Sequence, residues 1–125
     1  MKILVFIQTD NEKINSVSLE SIQAAQKIAQ KTDGTVSAMT FNKNTANKLC
    51  EYNLNEVILI NDDLLTDYRP LHYVKTLETY CLDEYPDIII FGHTYEARDW
   101  VPRLSARLDM PFISDCIGFN YNNSL

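Results

Sequence analysis

Residues 86–115 read P-D-I-I-I-F-G-H-T-Y-E-A-R-D-W-V-P-R-L-S-A-R-L-D-M-P-F-I-S-D, and this stretch decides the fold that the sequence predicts. Its apolar run at 88–91 lies between Pro86-Asp87 and Gly92, which predicts a short strand covered on both faces, as in parallel sheets. After a polar segment, apolar residues recur at the spacing of a helix with one buried side. These residues are Ala97, Trp100, Val101, Leu104 and Leu108.

Pro102 determines where the sequence predicts this helix to begin. Because a proline deep in a helix removes a backbone hydrogen bond and clashes with the preceding turn, we expect Pro102 in the first turn. Asp99 is then the predicted N-cap, since its carboxylate can accept from free N–H groups at the helix start. Residues 92–98 become a loop at the carboxyl end of a central strand, the edge where α/β sheets usually bind ligands and partners.

Strands and helices alternate through the rest of the chain. The apolar patterns predict strands at 2–7, 35–41 and 56–60, and a fifth strand that begins at Phe112. They predict helices at 18–31, with Ser18 as the N-cap, at 43–52 and at 68–82. Such alternation indicates a mostly parallel sheet with helices on both faces, a three-layer α/β/α fold. We expect residues 1–125 to form a single domain.

Composition narrows the class of protein. The hydrophobic fraction of 46% excludes a disordered chain, and the net charge of −6 argues against attraction to nucleic acid or to an anionic membrane. Cys50, Cys81 and Cys116 are widely spaced and lie in or beside apolar stretches. They predict buried, reduced thiols. With no leader-like start and no apolar run that could span a bilayer, we expect a cytoplasmic protein without membrane insertion.

The sequence is poor in groups that bind phosphate or perform catalysis. It has three glycines, Gly34, Gly92 and Gly118, so neither a dinucleotide fingerprint nor a P-loop is present. Residues 8–10 follow the first strand and can either contact a nucleotide or form a solvated loop. The acidic run at 61–63 lacks further ligands at metal-loop spacing, which predicts a turn and no metal site.

His93 follows the fourth strand, where a catalytic histidine could lie. Because the sequence offers no convincing nucleophile beside it, we expect no catalytic residues in this chain.

The spacing G-x-T-x-x-x-R-D-x-x-P-R-L-S-A-R-L-x-x-P-x-x-S-D at 92–115 resembles the end of the N-terminal domain of the electron transfer flavoprotein alpha subunit. The resemblance extends upstream to L-E-S-I-Q-A-A-Q-K-I-A at 19–29 and E-V-I-L-I-N-D-D at 56–63, and so covers nearly the whole chain. One departure is Ala97, where many relatives carry glycine before the Arg-Asp pair.

The resemblance implies an adenine nucleotide alpha hydrolase-like, or flavodoxin-like, topology. It also implies an electron carrier, an FAD-containing heterodimer with a beta subunit that passes electrons from dehydrogenases to a downstream acceptor. The resemblance also implies that FAD is bound by a C-terminal domain, which we expect to be absent from this chain; we therefore expect no cofactor-binding residues here and no FAD bound by this chain alone. The alternative is a free-standing nucleotide-binding module of the universal-stress type.

Four residues are the predicted interface candidates: His93, Thr94, Arg98 and Asp99. They place donors, acceptors and opposite charges at the sheet edge where α/β folds commonly bind. We single out Arg98, because a guanidinium can make a planar, bidentate contact across an interface. An intramolecular salt bridge from Arg98 to Glu96 or a neighbouring acid is the competing interpretation.

Overall fold

Helices and strands alternate along the chain, as the sequence predicts. The structure is a computed structural model, and it describes residues 1–111. In chain order the elements are β1 (Lys2–Phe6), β2 (Thr9–Asp10), β3 (Lys13–Ile14), α1 (Ser16–Thr32), β4 (Thr35–Thr40), α2 (Lys43–Leu49), β5 (Glu56–Leu59), a 3-10 turn (Asp63–Leu65), α3 (Pro70–Glu84), β6 (Ile88–Phe91) and α4 (Tyr95–Leu108). The predicted fifth strand at Phe112 lies outside the described residues.

Within residues 1–111, four parallel strands form the central sheet in the order β5-β4-β1-β6. Strand β1 lies in the middle, with Ile3 paired to Val36 of β4 on one side and to Ile88 of β6 on the other. The chain therefore first builds outward from β1 through β4 to β5 and then returns to add β6 on the opposite side. This arrangement confirms the predicted mostly parallel sheet.

Each face of β1 supports a separate hydrophobic core, because successive side chains of a strand point to opposite faces. Ile3 and Val5 pack under helices α1 and α2, whereas Leu4 and Phe6 pack under helices α3 and α4. Helices thus cover both faces of the sheet, which confirms the three-layer α/β/α prediction. The second core is rich in aromatic rings, and Trp100 lies among them with 1% of its surface exposed.

Helix α4 begins five residues before the predicted start. Thr94 is the N-cap, and its hydroxyl accepts from the N–H of Ala97 at 3.1 Å. Asp99 is therefore not the cap, and Pro102 lies inside the helix. The proline leaves the carbonyl of Arg98 without its usual donor, but both residues lie on the exposed side, where water can bind that carbonyl.

Helix α1 also begins earlier than predicted. Asn15 is the N-cap, and its side chain accepts from the N–H of Val17 at 2.9 Å. Ser18 is buried inside the helix, and its hydroxyl instead accepts from the backbone N–H of Gln8 at 3.0 Å. The predicted end is confirmed, because Asp33 terminates the helix in a left-handed conformation with φ 53°.

The two described cysteines have different environments. Cys81 is buried on α3, as predicted, whereas Cys50 is exposed at the end of α2. The prediction of a buried thiol is wrong for Cys50, because the last turn of α2 places Leu49 in the core and the next residue outside it. Cys116 lies outside the described residues.

Candidate functional site

The crevice between the carboxyl ends of β1 and β6 is the place where a sheet of this topology usually binds ligands. The chain continues from β1 to β4 on one side of β1, whereas it reaches β6 on the other side only after β5. Gln8 follows β1, and His93 and Thr94 follow β6. Two of the four predicted interface candidates therefore lie at this point.

Thr94 links the two sides of the crevice. Its hydroxyl donates to the Oε1 atom of Gln8 at 2.6 Å, a contact between positions 86 residues apart in the sequence. The same hydroxyl accepts from Ala97 as the N-cap of α4. Gln8 is held in turn by Ser18 and Asp10, which bind its backbone N–H and its side-chain Nε2 at 3.0 Å each. Thr94 thus fixes the end of β6 to the end of β1.

The segment that follows Gln8 is a small hairpin with an exposed turn, which is the form that the predicted solvated connection takes. Strands β2 and β3 pair antiparallel around Asn11 and Glu12, whose φ angles are 49° and 65°. Two positive φ values in succession are typical of a type I′ hairpin turn. Thr9 hydrogen-bonds the hydroxyl of Thr45 at 2.8 Å, so the hairpin is also tied to α2.

Gly92 permits the end of β6 to approach helix α1 closely. The residue is buried, and a Cβ atom placed on it would lie 3.1 Å from a methyl of Val17 and 3.2 Å from the backbone N of Ser18. Such separations are tighter than ordinary packing contacts. The absence of a side chain at Gly92 therefore serves helix–strand packing within the chain.

The edge beside the crevice carries negative charge. Burial raises the pKa of Glu96, and the nearby Asp10 carboxylate raises it further. Burial also raises the pKa of Tyr73 to about 12, with smaller contributions from Glu96, Asp10 and Asp67. Acidic groups that act on the same phenol must lie on the same side of the molecule. The Glu96 and Asp10 carboxylates therefore lie at this edge, and the exposed Arg98 lies beside them.

Asp99 forms an internal link between α4 and the segment that precedes α3. Its Oδ2 accepts from the hydroxyl of Tyr68 at 2.7 Å, and its Oδ1 accepts from Arg103 at 3.3 Å. The Tyr68 hydroxyl also lies 3.2 Å from the carbonyl oxygen of Glu96. This contact leaves no local signal in the sequence, because Tyr68 and Asp99 are 31 residues apart.

Arg98, His93 and Tyr95 form the exposed part of the site. No carboxylate among residues 1–111 lies within ion-pairing distance of Arg98, so the alternative salt bridge to Glu96 is not formed there. Tyr95 is the first residue of α4 and is 90% exposed. The sequence analysis does not single out Tyr95, because it predicts that the helix begins after this residue. Had the helix been extended by one turn towards its N-terminus, Tyr95 would have fallen on the side away from the apolar residues.

The other cluster of charged side chains lies away from this crevice, beside the end of β5. Asp62 accepts from the backbone N–H of Leu64 at 2.9 Å and lies 3.2 Å from Nε2 of His72. The Leu64 contact and then His72 hold the pKa of Asp62 below its usual value. In the described part of the chain, no group of three or more His, Cys, Asp or Glu residues is arranged to hold a metal.

Helices long and apolar enough to cross a bilayer are not found among residues 1–111.

Comparison with known proteins identifies the family. The model of the family described as "Electron transfer flavoprotein domain" matches residues 3–125. An electron transfer flavoprotein subunit alpha from Thermoanaerobacterium thermosaccharolyticum is 27% identical over 98% of this chain and 38% of its own length. The subunit alpha from Bacillus subtilis is 31% identical over 93% of this chain and 36% of its own length. Protein FixB from Rhizobium meliloti is 26% identical over 95% of this chain and 36% of its own length.

The chain spans little more than a third of the length of these relatives, whereas they cover nearly all of it. Together with the three-layer fold and the motif at 92–115, this match over nearly every residue leaves one family. The chain belongs to the electron transfer flavoprotein family, as a counterpart of the N-terminal domain of its alpha subunit.

Proposed function

We propose that this chain is the structural, subunit-facing N-terminal domain of an electron transfer flavoprotein alpha subunit. The complete protein would be an FAD-containing heterodimer that carries electrons from dehydrogenases to a downstream acceptor. The family match and the names of the alpha-subunit relatives support this assignment. In it, residues 1–125 form a single domain against which the beta subunit and the flavin-binding domain pack.

The observation that carries the proposal is that, at the start of α4, some polar side chains are bound within the chain and others are exposed. Thr94 and Asp99 are engaged within the chain, by Gln8 and Tyr68. Tyr95 and Arg98, three residues apart, share the outward face of the helix. Tyrosine and arginine are the residue types most enriched at the energetic centres of protein interfaces. An exposed pair of this kind beside the binding edge of the sheet suits a protein partner.

FAD is proposed to bind elsewhere in the complete protein. Gly92, the glycine nearest the usual ligand edge, is used to pack β6 against α1, and the Glu96 and Asp10 carboxylates lie close together at that edge. Both features oppose a pyrophosphate at this position. The isolated chain should therefore purify colourless; a stoichiometric flavin absorbance retained through gel filtration would contradict this part of the proposal.

A free-standing nucleotide-binding module of the universal-stress type is not favoured by the family match. We further propose that the protein works in the cytoplasm and does not bind nucleic acid. The free thiols of Cys50 and Cys81 suit a reducing compartment, and the net charge of −6 opposes a polyanion.

The test uses the complete two-subunit protein. Tyr95→Ala and Arg98→Ala should each weaken association with the beta subunit or the flavin-binding domain by about tenfold, the effect of losing about 1.4 kcal/mol at an interface. Arg107→Ala is the matched control, since Arg107 is an exposed arginine on the same helix whose contact with Glu78 is long, at 3.5 Å. It should change affinity less than about twofold.

Circular dichroism should be unchanged in all three variants, so that altered affinity reports on the interface alone. If Tyr95→Ala and Arg98→Ala both retain wild-type subunit affinity and flavin content, the proposed role of this face is wrong.

A further inference from the structure

Six aromatic rings form a continuous cluster on the side of the sheet covered by α3 and α4. The rings belong to Phe6, Phe41, Tyr68, Tyr73, Phe91 and Trp100. Trp100 is the sole tryptophan of the sequence and is almost fully buried. Edge-to-face packing of this kind stabilises a core. Packing alone, however, requires no polar group at the end of the cluster.

Two tyrosines connect Trp100 with the surface. The ring centroids of Trp100 and Tyr73 lie 5.5 Å apart, and those of Tyr73 and Tyr68 lie 5.2 Å apart. Tyr68 is partly exposed at the outer end of the cluster. Because electronic coupling falls steeply with distance, two short steps between touching rings are much faster than one long step. The three side chains are therefore spaced for stepwise electron transfer.

Tyr68 differs from Tyr73 in having a proton acceptor. Its hydroxyl donates to Oδ2 of Asp99 at 2.7 Å, and Arg103 holds the other carboxylate oxygen. Burial, and then the hydrogen bond to Asp99, raise the pKa of Tyr68, so the hydroxyl keeps its proton at neutral pH. The hydroxyl of Tyr73 has no hydrogen-bond partner among the described residues. An oxidised phenol is a strong acid, so the radical is most stable where its proton can leave.

We propose that Trp100, Tyr73 and Tyr68 form a path that carries oxidising equivalents from the buried core to the surface, with Asp99 as the proton acceptor. A one-electron oxidant, such as an oxygen-derived radical, removes an electron from Trp100. One electron then moves from Tyr73 to Trp100, and one from Tyr68 to Tyr73, which is oxidised only in passing and keeps its hydroxyl proton throughout. As Tyr68 loses its electron, its O–H proton passes to the Asp99 carboxylate, which leaves a neutral phenoxyl radical at the surface.

The cycle closes with a small reductant from solution, such as ascorbate. The reductant supplies one electron to the phenoxyl oxygen of Tyr68, and the proton returns from Asp99. The net reaction is reduction of the oxidant by the external reductant, and the protein returns to its starting state. Such a path would protect the core from oxidation, and it does not depend on the proposed role of the Tyr95 and Arg98 face.

Pulse radiolysis of the 125-residue chain tests the path. Azide radical, which oxidises tryptophan in preference to neutral tyrosine, serves as the probe oxidant. With a single tryptophan in the sequence, the broad visible absorption of an indolyl radical has one source. Its decay and the rise of the narrow phenoxyl band are followed in wild type, Tyr73→Phe, Tyr68→Phe and Asp99→Asn. Tyr80→Phe is the matched control, because Tyr80 packs on the same core outside the ring contacts.

In wild type the indolyl signal should convert to the phenoxyl signal at a rate independent of protein concentration, and more slowly in D2O. Tyr68→Phe and Tyr73→Phe should lose this conversion, whereas Tyr80→Phe should keep it. Asp99→Asn retains the ring and tests the proton acceptor, and it should slow the phenoxyl rise. Wild-type conversion in Tyr68→Phe would overturn the path, and a wild-type rate in Asp99→Asn would overturn the role of Asp99. Circular dichroism of each variant checks that it is folded.

Discussion

Replacement of Thr94 by valine should destabilise the protein by about 2 kcal/mol. Valine keeps the shape of threonine but removes the hydroxyl, which both caps α4 and donates to Gln8. Loss of an N-cap costs about 1 kcal/mol, and loss of a neutral hydrogen bond costs about as much again. For a chain of this length, the sum corresponds to a fall in Tm of about 8 °C.

Chemical denaturation followed by circular dichroism measures the change. Thr94→Ser keeps both hydrogen bonds and should retain most of the stability. Thr79→Val is the matched control, because the exposed Thr79 hydroxyl bonds only to the Lys75 carbonyl one turn earlier in α3. It should change stability by less than about 0.5 kcal/mol. A double-mutant cycle with Gln8→Ala then isolates the link between β1 and β6, with an expected coupling of about 1 kcal/mol.

Two results would refute this reasoning. If Thr94→Val unfolds within about 0.5 kcal/mol of wild type, the hydroxyl contributes neither as a cap nor as a link. If Thr94→Ser loses as much as Thr94→Val, keeping the hydroxyl does not preserve stability, and the reasoning that its two hydrogen bonds dominate at this position is wrong.

Three further predictions concern stability and thiol chemistry. Asp99→Ala should lower the free energy of unfolding by about 1 kcal/mol, because it removes the hydrogen bond from Tyr68. In a Tyr68→Phe background most of this loss should disappear, and an undiminished loss would exclude the contact as its cause. Gly92→Ala should lower the free energy of unfolding by about 1–3 kcal/mol, because the added methyl group overpacks against α1. This loss outweighs the roughly 0.4–1 kcal/mol gained from a less flexible unfolded chain. An unchanged or higher denaturation midpoint would contradict the prediction. In the native protein an alkylating agent should modify Cys50 well before Cys81, whose pKa burial raises to about 11; equal rates by mass spectrometry would contradict the structure.

Apolar patterns were sufficient to predict the sheet and its covering helices. The runs at 2–7 and 88–91 predicted strands buried on both faces. They form β1 and β6, which pair parallel to each other. Strand β1 lies inside the sheet, and β6 is its outermost strand on one side among residues 1–111. Alternation of side chains along β1 then distributes Ile3 and Leu4 to different cores. These features follow from local periodicity, which a sequence displays directly.

Helix starts were predicted less well, because several residues near each start could serve as the cap. Asn15 and Ser18 are both suitable N-caps. The helix begins at Asn15 because the Ser18 hydroxyl instead accepts a hydrogen bond from the backbone N–H of Gln8. At α4, the proline rule favoured Asp99. An extra turn there buries Ala97 against the sheet and lets Thr94 reach Gln8, which offsets the proline's cost of about 3 kcal/mol. Contacts between distant segments decided both cases, and they leave no local signal.

Folds of this kind usually bind nucleotides. The same contacts support the proposal that this chain instead binds a protein partner through its outer surface. In such folds, the ligand's phosphate uses free N–H groups at the start of a helix that follows a strand. At α1, the Asn15 side chain already binds the N–H of Val17, and Gly92 lies directly against the N of Ser18. The Thr94–Gln8 bond joins the two loops that a ligand would separate. Contacts within residues 1–111 therefore fill part of this crevice, which supports the proposal that a protein partner binds the outer face of α4 through Tyr95 and Arg98.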